Sequence, residues 1–244
     1  MHAMIFAVGL GTRFKPWTDH HPKALALVNG QSLLQRNIVY LRQYGIQQVI
    51  VNVHHFSQQV IDTVNENKGW GSEVIISDES DKLLETGGGL QKAQPLFPEG
   101  QPFLTCNADF LTDLDIHQLI RFHQEKKALI SFGVTSRKSS RNLLFDETGR
   151  LRGWENTQTG ETRPAKLPIP RKELKGLAYS CVVVFEYDVF KLMKEKGFEG
   201  KFSLIDVYLA LAEEHVIMGY DHTGDRLVDV GKPESVAVAE AMFP

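Results

Sequence analysis

The chain is 244 residues long, 42% apolar and 23% charged, with a formal net charge of −3. That length buries a full core, and the composition excludes a disordered chain and gives no reason to expect nucleic acid or an anionic membrane as partner. Cys106 and Cys181, far apart and within apolar runs, read as buried reduced thiols, and without a signal-peptide layout or a run of roughly 20 apolar residues the expectation is a cytoplasmic protein.

The apolar run 4–8 ends on Gly9 and suits a strand buried on both faces of a parallel sheet. Gly9 and Gly11 permit a tight turn whose amides approach an anion. Arg13 offers a planar fork for phosphate oxygens, and Lys23, after Pro22, offers a compact charge on a flexible stem. Together they read as a cradle for a nucleoside triphosphate, with a plain strand-turn-helix connection as the alternative. A dinucleotide fingerprint is not met, because Phe14 stands where its third glycine belongs and Asn52-Val53-His54 where its acidic residue belongs. Pro16 argues against a long helix leaving the turn directly.

Further along, Ser32 and Gln35 form a capping box for a helix to about Tyr44, stopped by Gly45. A strand over 48–53, a helix over 56–67 and a strand over 73–77 continue a right-handed parallel wind. His54 and His55 follow the second strand at the end where such sheets bind ligands. Neighbouring strand residues face opposite ways, however, so a structural role is favoured for both. Gly87, Gly88 and Gly89 mark either a close main-chain approach or a flexible turn before a helix over 90–94. Residues 101–106 read as another buried strand, and Asp109 at its carboxyl end is well placed to hold Mg²⁺. Asp113 and Asp115 are alternatives, Asp115 reading more simply as the N-cap of a helix over 116–126. After a strand over 128–134 the wind breaks into short strand fragments among basic residues, with turn signals at 147–149 and 159–160, expected as β-hairpins over the sheet edge. Residues 176–185 are strongly β-prone, Ser203 and Asp206 cap a helix, and a last helix covers about 233–242.

The segment Gly9-Leu10-Gly11-Thr12-Arg13-Phe14-Lys15-Pro16-Trp17-Thr18, followed by Pro22-Lys23-Ala24-Leu25, resembles the signature of the sugar-1-phosphate nucleotidyltransferases, usually written GxGTRLxPLT and then PKPL. Val8, Phe14, Trp17 and Ala24 depart from it without removing a phosphate contact. The resemblance implies an α/β fold with a Rossmann-like, mostly parallel central sheet flanked by helices and a small β-hairpin elaboration for the sugar. One domain over 1–244 is expected, with a nucleotide part over about 1–135 and a sugar-phosphate part over about 136–244. Nucleotide contacts are implied for Val8, Gly9, Leu10, Gly11, Thr12, Arg13, Lys23 and Asn107, and for Thr86, Gly87 and Gly88 in a loop that reads the base through its backbone. Catalytic roles fall to Arg13, Lys23 and Asp109. Asp229, in Arg226-Leu227-Val228-Asp229-Val230-Gly231-Lys232-Pro233, stands where the family's W-x-DVGTPE aspartate joins Asp109 in binding Mg²⁺. Sugar-phosphate contacts are implied for Glu155, followed here by Asn156 instead of lysine, for Ser180, followed by Cys181 where glycine is usual, and for Lys201.

The implied activity is in-line, Mg²⁺-dependent attack of a sugar 1-phosphate on the α-phosphorus of a nucleoside triphosphate, without a covalent enzyme intermediate. The pattern is closest to N-acetylmuramate 1-phosphate uridylyltransferases and to mannose or heptose 1-phosphate guanylyltransferases, so the pairing is UTP with the first or GTP with the second. No hexapeptide repeats follow Pro244, so a bifunctional acetyltransferase is not expected. A phosphocholine cytidylyltransferase, with Trp154 and Tyr179 as cage candidates, is one alternative. A catalytically silent nucleotide-binding regulator is another, though the joint presence of Arg13, Lys23, Asp109 and Asp229 speaks against it. A homo-oligomer is left open.

Overall fold

The computed structural model describes residues 1–9 and 11–244. In chain order its first half holds β1 (His2–Phe6), β2 (Leu27–Val28), β3 (Gln31–Ser32), α1 (Leu33–Gln43), β4 (Gln48–Val53), α2 (Ser57–Glu66), β5 (Glu73–Asp78), α3 (Glu85–Ala93), β6 (Phe103–Asn107), β7 (Phe110–Thr112) and α4 (Ile116–Lys126). The second holds β8 (Ile130–Thr135), β9 (Arg141–Phe145), β10 (Leu151–Asn156), β11 (Thr162–Arg163), β12 (Lys175–Phe185), α5 (Val189–Glu195), α6 (Leu204–Leu211), β13 (Ile217–Asp221), β14 (Leu227–Asp229) and α7 (Glu234–Met242).

β1 lies between β4 and β6, parallel to both, and β5 adds parallel to β4. β12 then pairs antiparallel with β6, β8 and β9, so the two halves of the chain share one ten-stranded sheet. Along β1, Met4 and Phe6 join one apolar layer while Ala3 and Ile5 join the other, which is why the run has no polar interruption. The first layer is covered by α3, α5 and α6 and includes the stacked rings of Phe103 and Phe185, 5.1 Å apart; the second is covered by α1, α2 and α4. Each fully buried phenylalanine of this kind contributes about 1.5–3 kcal/mol over an exposed one. Among the described residues no helix is long and apolar enough to cross a membrane.

Local signals settled most element boundaries. Ser32 Oγ accepts the Gln35 N–H at 3.0 Å and Asp115 Oδ1 the Gln118 N–H at 3.1 Å, so both caps stand where the sequence places them. Only short 3₁₀ turns, Thr12–Phe14 and Trp17–Asp19, follow the glycine turn.

Two expectations are corrected. Gly87, Gly88 and Gly89 lie inside α3 rather than in a loop before it. A Cβ on Gly87 would sit 2.3 Å from the Phe202 ring, one on Gly88 2.0 Å from the Gly200 carbonyl oxygen and one on Gly89 2.6 Å from Glu79 Oε1, so the glycines let two other segments press onto the helix. Asp206 does not cap α6: Ser203 Oγ accepts the Ile205 N–H alone, and the Asp206 carboxylate takes Arg163 at 2.8 Å.

Candidate active site

The carboxyl ends of β1 and β6 open into a cleft of about 540 Å³. Residues 6–9 and 11–13 form one part of its wall, Lys23, Ala24 and residues 107–109 another, and Leu83, Glu85, Thr86, Ser203 and Gly231 a third. A switch point of this kind between parallel strands is where open α/β sheets place ligands.

The turn after β1 is held by its own chemistry. Gly11 takes a left-handed φ of 59°, and its carbonyl oxygen accepts the Phe14 N–H at 2.7 Å and the Thr18 hydroxyl at 2.9 Å. A side chain at Gly11 would strike Thr18 Cγ2 at 2.7 Å, whereas Gly9 has nothing within 4 Å of a Cβ and lines the cleft. Gly11 therefore shapes the loop, and Gly9 leaves space beside it. Leu10, the remaining residue of the expected cradle, lies outside the described residues.

The acidic pair is built by the ribbon of β7 and β14. Asp229 stands opposite Phe110, and the Val230 N–H donates to the Asp109 carbonyl oxygen at 2.8 Å. Lys23, only 7% exposed, reaches across to Asp109 Oδ2 at 2.6 Å. Burial and then the neighbouring Asp109 hold the Asp229 carboxyl above the ordinary range, against the pull of Lys23, Arg13 and Arg137. Asp229 Oδ1 is buried without a hydrogen-bond partner among the described residues. Arg13 comes close as well, since a Cβ on Gly231 would lie 2.7 Å from Asp229 Oδ1 and 2.8 Å from an Arg13 Nη2. Two carboxylates, one with an orphaned buried oxygen, are a donor set that fits a hard divalent cation completed by phosphate oxygens. Among the described residues no group of three or more His, Cys, Asp and Glu side chains is gathered for a metal.

Of the nucleotide candidates, Val8, Gly9, Gly11, Thr12, Arg13, Lys23, Thr86 and Asn107 line the cleft. Gly87 and Gly88 are buried and do not; their N–H groups face the Phe202 carbonyl oxygen at 2.9 and 3.4 Å. None of the three sugar-phosphate candidates lines it either. Glu155 is bound by Arg171 at 2.6 and 2.7 Å, the Ser180 hydroxyl faces His222 Nε2 at 2.7 Å, and Lys201 pairs at 3.4 Å with Glu85, a cleft residue. His54 Nδ1 faces the Glu79 carbonyl oxygen at 2.6 Å.

Cys181 has a left-handed φ of 61° at a register shift in β12. Burial pushes its thiol well up, and the charges of Asp109 and Asp229 act in the same direction. Glycine's freedom at positive φ accounts for a family preference for it at this bend. Glu85, a cleft residue with φ of 60°, is a further residue of the site that sequence reasoning did not single out, and Arg137, outside the cleft lining, acts to lower the Asp229 carboxyl. Arg137 was one basic residue among many in the hairpin region, and nothing in the sequence marks a left-handed glutamate.

Residues 2–143 match the family model described as nucleotidyl transferase. The chain belongs to the nucleotidyl transferase family. Its enzyme class is that of the sugar-1-phosphate nucleotidyltransferases. An N-acetylmuramate alpha-1-phosphate uridylyltransferase of Caulobacter vibrioides is 40% identical over 241 residues, covering 98% of this chain and 95% of that protein. One of the same description from Neisseria meningitidis is 39% identical over 115 residues, 47% of this chain and 49% of that protein. Among solved structures, HddC from Yersinia pseudotuberculosis, complexed with GMP-PN, superimposes with a TM-score of 0.78 at 22% identity, over 100% of this chain and 99% of that one, a likeness of fold. The nucleotidyl transferase fold anticipated from the sequence is thus the one observed.

Proposed function

We propose that this nucleotidyltransferase joins UTP to N-acetylmuramate 1-phosphate, releasing pyrophosphate. The observation that carries the reaction is the presence of Arg13, Lys23 and Asp109 on one cleft wall with Asp229 beside Asp109 and Arg13; the substrate pair rests on the 40% identity to the Caulobacter relative along nearly the whole chain. A phosphate oxygen of the sugar 1-phosphate attacks the α-phosphorus, a new P–O bond forms, and the bond to the bridging oxygen breaks, its electron pair leaving with pyrophosphate. Such a transfer needs positioning and charge neutralisation more than a nucleophilic side chain.

Lys23 neutralises charge at the α-phosphate, and Arg13 with the backbone of the turn after β1 holds the departing pyrophosphate. Asp109 and Asp229 are the pair that would hold Mg²⁺, whose contribution is neutralisation of phosphate charge. Thr86 and Asn107, both lining the cleft, contact the nucleoside in this reading. On the acceptor side, Lys201 reaches the cleft through Glu85, while Glu155 and Ser180 fix the hairpin and the β12 bend from behind. The two buried free cysteines support a reducing, cytoplasmic setting.

The test is pyrophosphate release with Mg²⁺ across UTP, GTP, CTP, dTTP and ATP against N-acetylmuramate, N-acetylglucosamine, glucose, mannose and heptose 1-phosphates, with phosphocholine included. Preference for UTP with N-acetylmuramate 1-phosphate supports the proposal. Preference for GTP with mannose or heptose 1-phosphate overturns the substrates and keeps the reaction class. Silence with every pair overturns both.

A further inference from the structure

Asn52, in β4, and Glu79, just after β5, are both fully buried, and neither lines the cleft. Asn52 Oδ1 accepts the Ala7 N–H at 2.8 Å, its Nδ2 donates to Glu79 Oε1 at 2.7 Å, and Glu79 Oε2 accepts the Leu84 N–H at 3.3 Å. Ala7 opens the turn after β1, and Leu84 precedes α3 between the cleft residues Leu83 and Glu85. Three hydrogen bonds in series therefore join two segments of the cleft wall that are distant in sequence.

A buried carboxylate without an ion pair among the described residues is an expensive connector, since apolar side chains would join these segments without its desolvation cost. What it supplies instead is a set distance and direction. Both groups bonded to it are donors, so each oxygen has one defined partner. Burial raises the Glu79 carboxyl above its ordinary range, while the Asn52 and Leu84 bonds act to lower it. The chain also makes room for it: a Cβ on Gly89 would come within 2.6 Å of Glu79 Oε1 and 3.0 Å of Asn52 Nδ2. The third glycine of α3 thus has its reason in this contact.

Resting on the nucleotidyl-transfer reading above, we propose that Asn52 and Glu79 are positioning residues that set the spacing between the turn after β1 and the start of α3, and through it the fit of the nucleotide. Neither touches substrate. Glu79→Gln keeps the shape but turns an amide donor onto either the Leu84 N–H or the Asn52 amide. Pairing it with Asn52→Asp restores every bond, because the new carboxylate accepts from Ala7 and from the new amide, whose oxygen accepts from Leu84.

The experiment compares the full-length protein with Glu79→Gln, Gly89→Ala and the Asn52→Asp/Glu79→Gln double variant, reading KM for each substrate, UTP binding by calorimetry, and melting temperature. Glu79→Gln and Gly89→Ala are expected to raise KM and Kd for UTP about tenfold and to leave KM for the sugar 1-phosphate within about twofold, with the double variant recovering most of the loss. Equal change in both KM values, a lowered melting temperature with both KM values unchanged, or a double variant no better than Glu79→Gln overturns the proposal. If Glu79→Gln does not fold, Gly89→Ala and the double variant carry the same comparison. Unmutated protein that neither binds UTP nor turns over overturns the underlying reading, and this one with it; an active unmutated protein with unaffected variants overturns the positioning role alone.

Discussion

The Lys23 ammonium lies 2.6 Å from Asp109 Oδ2 although 86 positions separate the two residues. Lys23 is almost fully buried, so the ion pair holds a cation on the cleft wall beside the Asp109 and Asp229 pair. Its removal tests whether that charge serves the reaction. Lys23→Ala is expected to lower kcat by about 10²–10³, the usual size for a lost electrostatic stabiliser, with the melting temperature nearly retained because Asp109 is partly exposed and stays hydrated. A loss below about tenfold in a pyrophosphate-release assay would remove the role.

Asp229 is already strained by its surroundings, buried near Asp109 with one oxygen unpartnered. Asp229→Asn should therefore abolish Mg²⁺-dependent turnover and yet stabilise the metal-free protein. A gain of about 1 kcal/mol would raise the melting temperature by roughly 2–4 °C. Asp109→Asn should also lose turnover without that gain, because it strands Lys23. Mg²⁺ titration of activity beside thermal melting in a chelator checks both.

Gly9 and Gly88 separate function from fold. Gly9→Ala meets nothing within 4 Å and should melt as the unmutated protein does, while its methyl intrudes on the cleft and weakens triphosphate binding by about tenfold or more. Gly88→Ala would place a Cβ 2.0 Å from the Gly200 carbonyl oxygen and should cost about 1–3 kcal/mol of stability. Calorimetric binding and urea unfolding of the pair distinguish these effects.

Cys181 carries a side chain where the backbone is left-handed. Cys181→Gly should change stability by less than about 1 kcal/mol, relief of left-handed strain offsetting the lost burial of the thiol, whereas Cys181→Val should lose about 2 kcal/mol or more. Urea midpoints of the two variants decide it.

Glu155 is held below the ordinary carboxyl range chiefly by its paired bonds from Arg171. A lowered carboxyl pKa gives stability that is present above the unfolded value and is lost as pH falls through the folded one. Arg171→Met should accordingly cost about 1 kcal/mol at pH 7, a figure reduced for the exposure of Arg171, and the gap should begin to narrow as pH falls below the ordinary glutamate value of about 4. Unfolding curves on both sides of that value measure it.

What neighbours in sequence settle among themselves is legible in the sequence alone. The buried run ending at Gly9, the Ser32 and Asp115 caps and the alternation of strands and helices depend on backbone geometry and hydrogen bonds within a few residues. The phosphate-loop pattern is equally local, which is why its resemblance pointed to the family.

Other features depended on segments far apart. Three consecutive glycines left open a close main-chain approach or a flexible turn ahead of the helix, and their place inside it was not legible, because what presses on them, Phe202, Gly200 and Glu79, is absent from their sequence neighbourhood. The left-handed bend at Cys181 follows from β12 pairing with two different sets of neighbours along its length. Asp229 reaches Asp109 only because β14 pairs with β7, and the Asn52–Glu79 connection exists only once β4, β5 and α3 share one wall. Local torsions decide which elements form; which side chains then meet is decided by how the apolar faces of those elements are buried together, a property of the whole chain.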